Sequence, residues 1–185
     1  MAAIDHLASE LGVHGRTLRR AVEDGAIRAT RLGPRRLKLS PAEESYVLHA
    51  WPLLGRLRAL LRTERNVRLA ALFGSRARGD ERPGSDVDLL VELEEDSVSR
   101  RMGLEGRLEA ALGLQVQVVP LSVARRAPVL LADAIEDGRV LVDREGRWAQ
   151  LVSEYPDVSD AAEAADAALR ERAAAAIAEL SGGAA

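Results

Sequence analysis

The chain lacks cysteine altogether, and this absence excludes disulfide bonds, thiolate-bound zinc and cysteine nucleophiles. Histidine is scarce as well, because His6, His14 and His49 are too scattered to form a metal-binding motif. Any bound metal ion must therefore be held by carboxylates, which favours Mg²⁺ or Mn²⁺. Lysine is almost missing too: Lys38 is the only lysine among 26 basic residues, a bias typical of GC-rich coding sequences rather than of a function.

Long apolar runs are also missing. No stretch approaches 18 consecutive apolar residues, and the first 12 residues carry charges where a signal peptide would have its apolar segment. We therefore expect a cytoplasmic protein without membrane association. The 185 residues, of which 47% are hydrophobic, suffice for one substantial core and a small second one, so we expect one or two domains.

The net charge of −3 conceals an uneven distribution along the chain. Residues 1–40 carry eight basic and four acidic side chains, a net charge of +4, which leaves −7 for the remainder. A small basic module joined to an acidic body indicates that a polyanion binds the N-terminal part.

The basic module has the spacing of a helix-turn-helix with a wing. Apolar residues fall on one face of a first helix, Gly12-Val13 predicts a turn, and a second helix ends at Gly25. An alternating segment then surrounds a Gly33-Pro34 turn, as expected of a two-stranded wing. The polar residues that this arrangement exposes are candidate DNA contacts. On the second helix they are Arg16, Thr17, Arg19 and Arg20, and on the wing they are Arg31, Arg35, Arg36 and Lys38.

Residues 1–42, in the pattern ASELGVHGRTLRRAVEDGAIRATRLG, resemble the winged helix-turn-helix modules of excisionase-type and related bacterial regulators. The resemblance implies binding of duplex DNA through groove and phosphate contacts. The sequence departs from the pattern at His14-Gly15, where such modules more often have Ser or Thr as the helix N-cap. The alternative is a small solvated helical domain whose arginines maintain solubility, or which docks a protein.

A helical segment is predicted to follow the basic module. Ser40–Glu43 is a capping box with proline at the first helical position, so a helix begins there. Trp51-Pro52 is expected to interrupt it, after which leucines continue an amphipathic helix to about Thr63. We therefore assign residues 43–63 to connecting helices between two domains.

The stretch LFGSRARGDERPGSDVDLLVELE contains the most specific chemical signal in the chain. A strand is predicted over residues 67–73, and Gly74-Ser75 breaks it into a short helical turn. A helix that begins at Ser75 would direct its backbone N–H groups and a hydroxyl at an anion. Arg76 and Arg78 lie close by in sequence and can balance the charge of a phosphate.

Two aspartates follow, at the start of the next predicted strand. Residues two apart in a strand point to the same side and lie about 7 Å from each other, so Asp86 and Asp88 can bind one divalent ion. Without a basic partner the two carboxylates would repel each other, and a metal ion that joins them to a bound phosphate explains their proximity. The stretch therefore predicts a triphosphate site with its metal.

The motif G-S-x10-D-x-D, which runs from Gly74-Ser75 to Asp86 and Asp88, closely resembles the minimal nucleotidyltransferase branch of the DNA polymerase β superfamily, over about residues 53–143. The resemblance implies an α+β fold, a small mixed β-sheet flanked by helices, and Mg²⁺-dependent transfer of a nucleotidyl group from a nucleoside triphosphate to a protein or nucleic-acid acceptor. Many members of this branch pair with HEPN-type toxins, and some add AMP to the toxin. The resemblance assigns catalysis and metal binding to Asp86 and Asp88, and nucleotide binding to Gly74, Ser75, Arg76 and Arg78.

One position departs from the family pattern. The family usually has a third carboxylate on a later strand, in a pattern like V-D-L-V, whereas this chain has Gln117 within VQVV. A neutral amide binds Mg²⁺ weakly and cannot act as a base, so nucleotide binding can survive while transfer weakens. Glu92 would lie about 13 Å along the strand from Asp88, too far to substitute. Asp80, Glu81 or an acid of a partner chain remain as candidates.

Two functions from different classes therefore stay open. In the first, the chain is an active nucleotidyltransferase that DNA guides or regulates, as the intact Ser75, Asp86 and Asp88 favour. In the second, it is a DNA-binding regulator, or the antitoxin of a toxin-antitoxin pair, whose nucleotidyltransferase fold only binds nucleotide, as Gln117 favours. The enzyme is the hypothesis that we carry forward.

The remaining segments complete the predicted fold. A helix is expected over residues 98–112, with Met102, Leu104, Leu108 and Leu112 buried, then a strand over 114–119, a helix near 123–136 and an edge strand over 138–143. The alanine-rich tail predicts a docked or dimerising helix, anchored by Trp148 and Leu151, with Leu169, Ala173, Ile177 and Leu180 on one face. We expect a DNA-binding domain over 1–42, connecting helices over 43–63, a nucleotidyltransferase domain over 64–143 and a helical tail over 144–185.

Overall fold

The computed structural model describes residues 3–33 and 36–182. The N-terminal part contains three helices and a two-stranded antiparallel sheet. Within the two described ranges, no helix is long and apolar enough to cross a membrane. The elements are α1 (Ala3–Glu10), α2 (Gly15–Glu23), β1 (Thr30–Gly33), β2 (Arg36–Lys38) and α3 (Pro41–Thr63).

The second part of the chain forms a four-stranded sheet with helices on both faces. The strand order is β5-β4-β3-β6, in which β4 and β5 run parallel and the other neighbours are antiparallel. The predicted α+β class with a small mixed sheet is therefore confirmed. The elements are β3 (Val67–Phe73), α4 (Ser75–Arg78), β4 (Val87–Leu93), α5 (Val98–Leu112), β5 (Val116–Pro120), α6 (Leu121–Ala124), α7 (Pro128–Asp137), β6 (Arg139–Asp143) and α8 (Arg147–Gly182).

The N-terminal elements lie where the helix-turn-helix pattern predicts helices and strands. The His14 ring accepts a hydrogen bond from the Arg16 amide at 3.1 Å, so histidine takes the N-cap place at which Ser or Thr was expected. The pairing of β1 with β2 gives the predicted two-stranded segment. Pro34 and Arg35, at the predicted turn of the wing, lie outside the described residues. The assignment to a winged helix-turn-helix stays a prediction.

Helix α3 corrects the expected break at Trp51-Pro52, because a single helix runs from Pro41 to Thr63. Proline removes one backbone donor and displaces the carbonyl four residues earlier. Pro52 is exposed and Leu48 is partly exposed, so water can solvate the carbonyl that loses its partner. The helix continues because its apolar face is buried on both sides of the proline, with Val47, Leu54 and Leu57 fully covered.

Two apolar clusters cover the two faces of the sheet. One contains Leu89 and Leu72 together with α3, α5 and the apolar residues of α1 and α2, such as Leu18. The other contains Leu69 and Leu90 together with α6, α7 and the start of α8. The apolar core is therefore continuous from the N-terminal helices to one face of the sheet.

Two other expectations need correction, and a third is met in part. Met102 is 65% exposed, whereas its predicted core neighbours on α5 are buried. The predicted helix near residues 123–136 is two helices, because Pro128 begins α7. In α8 the predicted anchors pack, with Leu151 only 1% exposed and Trp148 beside it. Leu169 farther along the helix is 63% exposed, and the dimerising role of its face stays a prediction.

Candidate functional site

Gly74 lies at the centre of the candidate site, between β3 and α4. Its φ of 73° and ψ of −157° are available to glycine and strained for other residues. A side chain there would also place its Cβ 2.7 Å from Asp88 Oδ2. The Gly74 carbonyl accepts bonds from the Ala77 and Arg78 amides at 3.0 and 3.1 Å. The glycine therefore lets the backbone turn into α4 directly against the Asp88 carboxylate.

Asp86 and Asp88 flank the first residue of β4. The strand begins at Val87, one residue later than predicted, so Asp86 is an exposed loop residue and Asp88 a half-buried strand residue. Burial raises the pKa of Asp88 and the charge of Asp86 raises it further, while Arg76 and Arg78 oppose the shift. The two carboxylates therefore lie close enough to repel. This pair of oxygen donors suits a hard divalent cation such as Mg²⁺.

The Arg76 side chain is engaged with the loop that carries Asp86. Its Nη2 donates to the Ser85 carbonyl at 2.7 Å, and its Nε donates to the Ser85 and Asp86 carbonyls at 3.1 Å. The guanidinium thus fastens the loop before β4 to α4. The structure gives Arg76 a positioning role that the sequence did not suggest, and its contact with a phosphate stays a prediction.

Arg78 is ion-paired within the chain. Its guanidinium donates to Asp80, on the loop after α4, and to Asp137, at the end of α7. Ser75 is half-buried at the start of α4, and no side chain in the described ranges caps that helix. The start of α4 is consequently open to an anion. Arg78 could contact a phosphate only by giving up an ion pair with Asp80 or Asp137.

Gln117 occupies the position at which the family resemblance leads us to expect a third carboxylate. Gln117 is exposed on β5 and pairs directly with Asp88 across the parallel strands, so the two side chains share a face and a level of the sheet. Glu81 is paired with His49 at 2.9 Å and Asp80 with Arg78, so neither is directed to this position. Within the described part of the chain, no group of three or more His, Asp or Glu side chains could hold a metal ion.

A buried ion pair beside the site was not predicted from the sequence. Arg139 of β6 is 3% exposed and donates to both carboxylate oxygens of Glu43, at 2.6 and 3.1 Å. The Glu43 carboxylate also accepts from the Arg28 amide at 2.9 Å. The capping box placed Glu43 in the first turn of α3, where glutamate is usually exposed, and nothing local in the sequence indicates its burial.

The same pair reaches α4, the helix at which a phosphate is expected. Arg139 Nε donates to the Ala77 carbonyl at 2.6 Å, and its guanidinium lies 3.5 Å above the Tyr46 ring. The Tyr46 hydroxyl donates to the Arg76 carbonyl at 3.0 Å, and burial raises its pKa to about 12. We call Glu43, Tyr46 and Arg139 the buried triad, and it connects the N-terminal elements to α4.

The candidate DNA contacts on the N-terminal elements are mostly exposed. Arg19 is the exception, because it is half-buried and donates to Asp5 on α1. Arg35 lies outside the described residues. The exposed ones are Arg16, Thr17 and Arg20 on α2, and Arg31, Arg36 and Lys38 on β1 and β2.

Residues 56–147 match the polymerase beta nucleotidyltransferase family. Over 60 residues the chain is 47% identical to the protein adenylyltransferase MntA of Thermococcus cleftensis, and the match covers 32% of this chain and 61% of that protein. Over 70 residues it is 37% identical to a protein of Methanocaldococcus jannaschii with a provisional assignment as a protein adenylyltransferase, covering 36% of this chain and 70% of that protein. The chain thus spans less than two thirds of the first relative's length.

The fold has counterparts among solved structures. A crystal structure of a toxin-antitoxin with AMP-PNP matches 65% of this chain and 97% of its own, with a TM-score of 0.55 and 23% sequence identity. At this level of identity the likeness concerns the fold alone.

Proposed function

The chain belongs to the polymerase beta nucleotidyltransferase family, and we propose that it transfers a nucleotidyl group from a nucleoside triphosphate to a protein or nucleic-acid acceptor with Mg²⁺. The observation that carries the proposal is the Asp88 carboxylate directly against Gly74 and the open start of α4, with Asp86 near enough to act on its charge. Backbone amides at a helix start bind phosphate oxygens, and paired carboxylates bind the cation that accompanies a triphosphate.

We assign a different role in this reaction to each group of site residues. Asp86 and Asp88 would hold Mg²⁺, which when bound supplies charge neutralisation for the triphosphate. Ser75 and the first amides of α4 would orient the phosphates, because α4 begins directly after Gly74, which lies against Asp88. Arg76 keeps Asp86 in place through the Ser85 and Asp86 carbonyls.

We further propose that the acceptor is a protein and the transferred group AMP. The support is the likeness to the two archaeal relatives described as protein adenylyltransferases. A HEPN-type toxin is the partner that the resemblance implies, and the fold shared with a toxin-antitoxin structure is consistent with it. Incubation with each radiolabelled triphosphate, with and without a co-expressed toxin of this type, tests the proposal. Label that never reaches protein would overturn it.

The second candidate function is that of an antitoxin or regulator that binds nucleotide without efficient transfer. The specific observation behind it is Gln117, which lies beside Asp88 where a third carboxylate would complete the site. Such a protein would bind a triphosphate with Mg²⁺ and neutralise its partner by complex formation.

We predict that Gln117→Asp raises the rate of nucleotidyl transfer by about tenfold to a hundredfold, because a carboxylate can act as the base for the attacking hydroxyl or help to hold an activating Mg²⁺, which the neutral amide cannot do well. Triphosphate affinity should change little, since Asp86 and Asp88 hold the cation that accompanies it. The measurement is single-turnover radiolabel transfer, with Gln117→Asn as the neutral control. Rapid transfer by the unmodified chain, with no gain from Gln117→Asp, would mean that an acid from elsewhere completes the site.

We also propose that the N-terminal elements bind duplex DNA, supported by the exposed basic residues of α2, β1 and β2 and by the charge of +4 over residues 1–40. Substituting both Arg16 and Arg20 with alanine should weaken binding about tenfold to a hundredfold and lower the salt dependence. Fluorescence anisotropy at several salt concentrations measures both effects.

Substitution tests the DNA-binding proposal better than deletion, because removal of residues 1–42 would uncover the shared apolar core. The matched control is Arg170→Ala with Arg172→Ala, which removes the same charge from exposed positions of α8. If both double variants lost DNA affinity equally, the loss would reflect net charge alone and would contradict a DNA-binding site on α2.

A further inference from the structure

A basic pocket lies between α2 and α3, on the face of α2 that carries Arg16 and Arg20. Its volume is about 380 Å³. Among the described residues that line it, none is acidic. The lining consists of His14, Arg16, Thr17 and Arg20 from the N-cap and body of α2, with Arg58 and Arg62 from α3.

The positive charge of this pocket is only partly balanced. Arg58 is 5% exposed, and burial lowers its pKa because the charged guanidinium is desolvated. Arg58 and Arg62 share a single carboxylate, that of Asp24, which lies at the end of α2. Arg16 and Arg20 add two more exposed cations on the opposite wall. Four guanidinium groups thus line the pocket, while the acids near them, Glu23, Asp24 and Asp143, line the adjoining pocket that Arg20 and Arg62 share. An anion would therefore gain from entering.

The remaining polar groups are suited to the same ligand. His14 Nδ1 accepts from the Arg16 amide, so the neutral ring carries its proton on Nε2 and has a donor to offer. Thr17 adds a hydroxyl. Arginine groups in a concave site favour phosphate over a carboxylate-sized ligand, because the several oxygens of phosphate can satisfy several guanidinium donors at once.

We propose that the pocket between α2 and α3 binds a phosphate group, supplied by the backbone of bound duplex DNA or by a free phosphate compound. The DNA source rests on the proposed DNA binding, whereas the free source does not. Arg58 and Arg62 would then belong to the phosphate-binding surface although they lie in α3, outside the basic N-terminal segment. Bound DNA would then lie along the cleft between α2 and α3. Helix α3 also packs against the sheet as part of the apolar core.

The test compares Arg62→Gln with Arg65→Gln, an equal charge change at an exposed residue three positions along that does not line the pocket. Arg62 is exposed enough that the variant should remain folded, which circular dichroism checks. Anisotropy with a mixed-sequence duplex measures DNA binding. Calorimetry with inorganic pyrophosphate in EDTA measures phosphate binding without a metal ion, so that the Asp86 and Asp88 site stays silent.

Arg62→Gln should weaken duplex binding about tenfold and lower the salt slope by about 0.9, the value expected for one lost phosphate contact, while Arg65→Gln changes neither. Loss of pyrophosphate binding in Arg62→Gln with duplex binding intact would assign the pocket to a free phosphate compound. If the unmodified chain bound no duplex, the proposed DNA binding would fail and the pyrophosphate measurement alone would decide. If Arg62→Gln changed the binding of neither ligand, or if both variants had equal effects, the proposal that this pocket binds phosphate would be wrong.

Discussion

Asp88→Asn should weaken Mg²⁺-dependent binding of a nucleoside triphosphate at least about a hundredfold and abolish transfer, because the affinity of carboxylate sites for a divalent cation depends steeply on the number of charged ligands. Asp86→Asn should act in the same direction. Ser75→Ala should cost less, about tenfold or below, since the backbone amides of α4 remain to hold the phosphates. Titration calorimetry with and without Mg²⁺ measures the three affinities.

The loss of function in Asp88→Asn should not be accompanied by a loss of stability. Burial and the charge of Asp86 both raise the pKa of Asp88, so the ionised carboxylate is disfavoured in the protein without metal. Asparagine has nearly the same shape and no charge, so the free energy of unfolding should stay unchanged or rise. The proposed metal site would therefore keep its aspartate at a cost in stability.

A matched control for this prediction is Asp160→Asn, an exposed aspartate on α8. It removes the same charge and should leave both affinity and stability unchanged. Triphosphate binding that needs no divalent cation and survives both Asp86→Asn and Asp88→Asn would show that the two carboxylates are not the metal site.

The second large effect is expected at the buried triad. Glu43→Ala should lower the free energy of unfolding by about 3–5 kcal/mol, because it leaves the buried Arg139 guanidinium without its counter-charge. Replacing both partners by apolar residues, Glu43→Leu with Arg139→Met, should cost much less than the sum of the single changes. Urea unfolding of the unmodified chain, Glu43→Leu, Arg139→Met and the double variant measures the coupling between the two side chains.

The ion pair of Arg125 and Glu154 provides the control. It has similar bidentate geometry, with distances of 2.7 and 3.2 Å, but its side chains are 47% and 39% exposed to solvent. Arg125→Ala should lower the free energy of unfolding by about 1 kcal/mol or less. Two outcomes would contradict a stabilising buried ion pair. One is that the losses in free energy of unfolding at Glu43 and Arg139 add up, and the other is that they are no larger than the loss at Arg125.

The apolar double variant also tests what the triad does for the site. Arg139 holds the Ala77 carbonyl and Tyr46 holds the Arg76 carbonyl, so α4 should lose part of its placement even if the fold survives. We expect weaker triphosphate binding in Glu43→Leu with Arg139→Met, and an intermediate effect in Tyr46→Phe, which removes one hydrogen bond. Unchanged affinity in both would limit the triad to a role in stability.

The local chemistry of the candidate site could be predicted from the sequence because it depends on neighbours in the chain. A glycine that alone tolerates its backbone angles, a helix start after a strand, and two aspartates two residues apart are all encoded within 15 positions, and the strands and helices around them follow from apolar periodicity. The amide at Gln117, where the family usually has a carboxylate, was also evident from the sequence. The parallel pairing of β4 with β5 places Gln117 beside Asp88.

Only the tertiary structure decided which charges are buried and what each arginine contacts. Glu43 and Arg139 are 96 residues apart, and Arg58 and Asp24 are 34 apart, so no local pattern distinguishes them from the many exposed charges of this chain. Arg76 donates to the Asp86 carbonyl and so fastens that loop, a contact that the sequence did not suggest. Periodicity reports which face of an element is apolar, whereas the partner of a long charged side chain depends on where distant elements pack, because its cost of burial is offset only by contacts made across the fold.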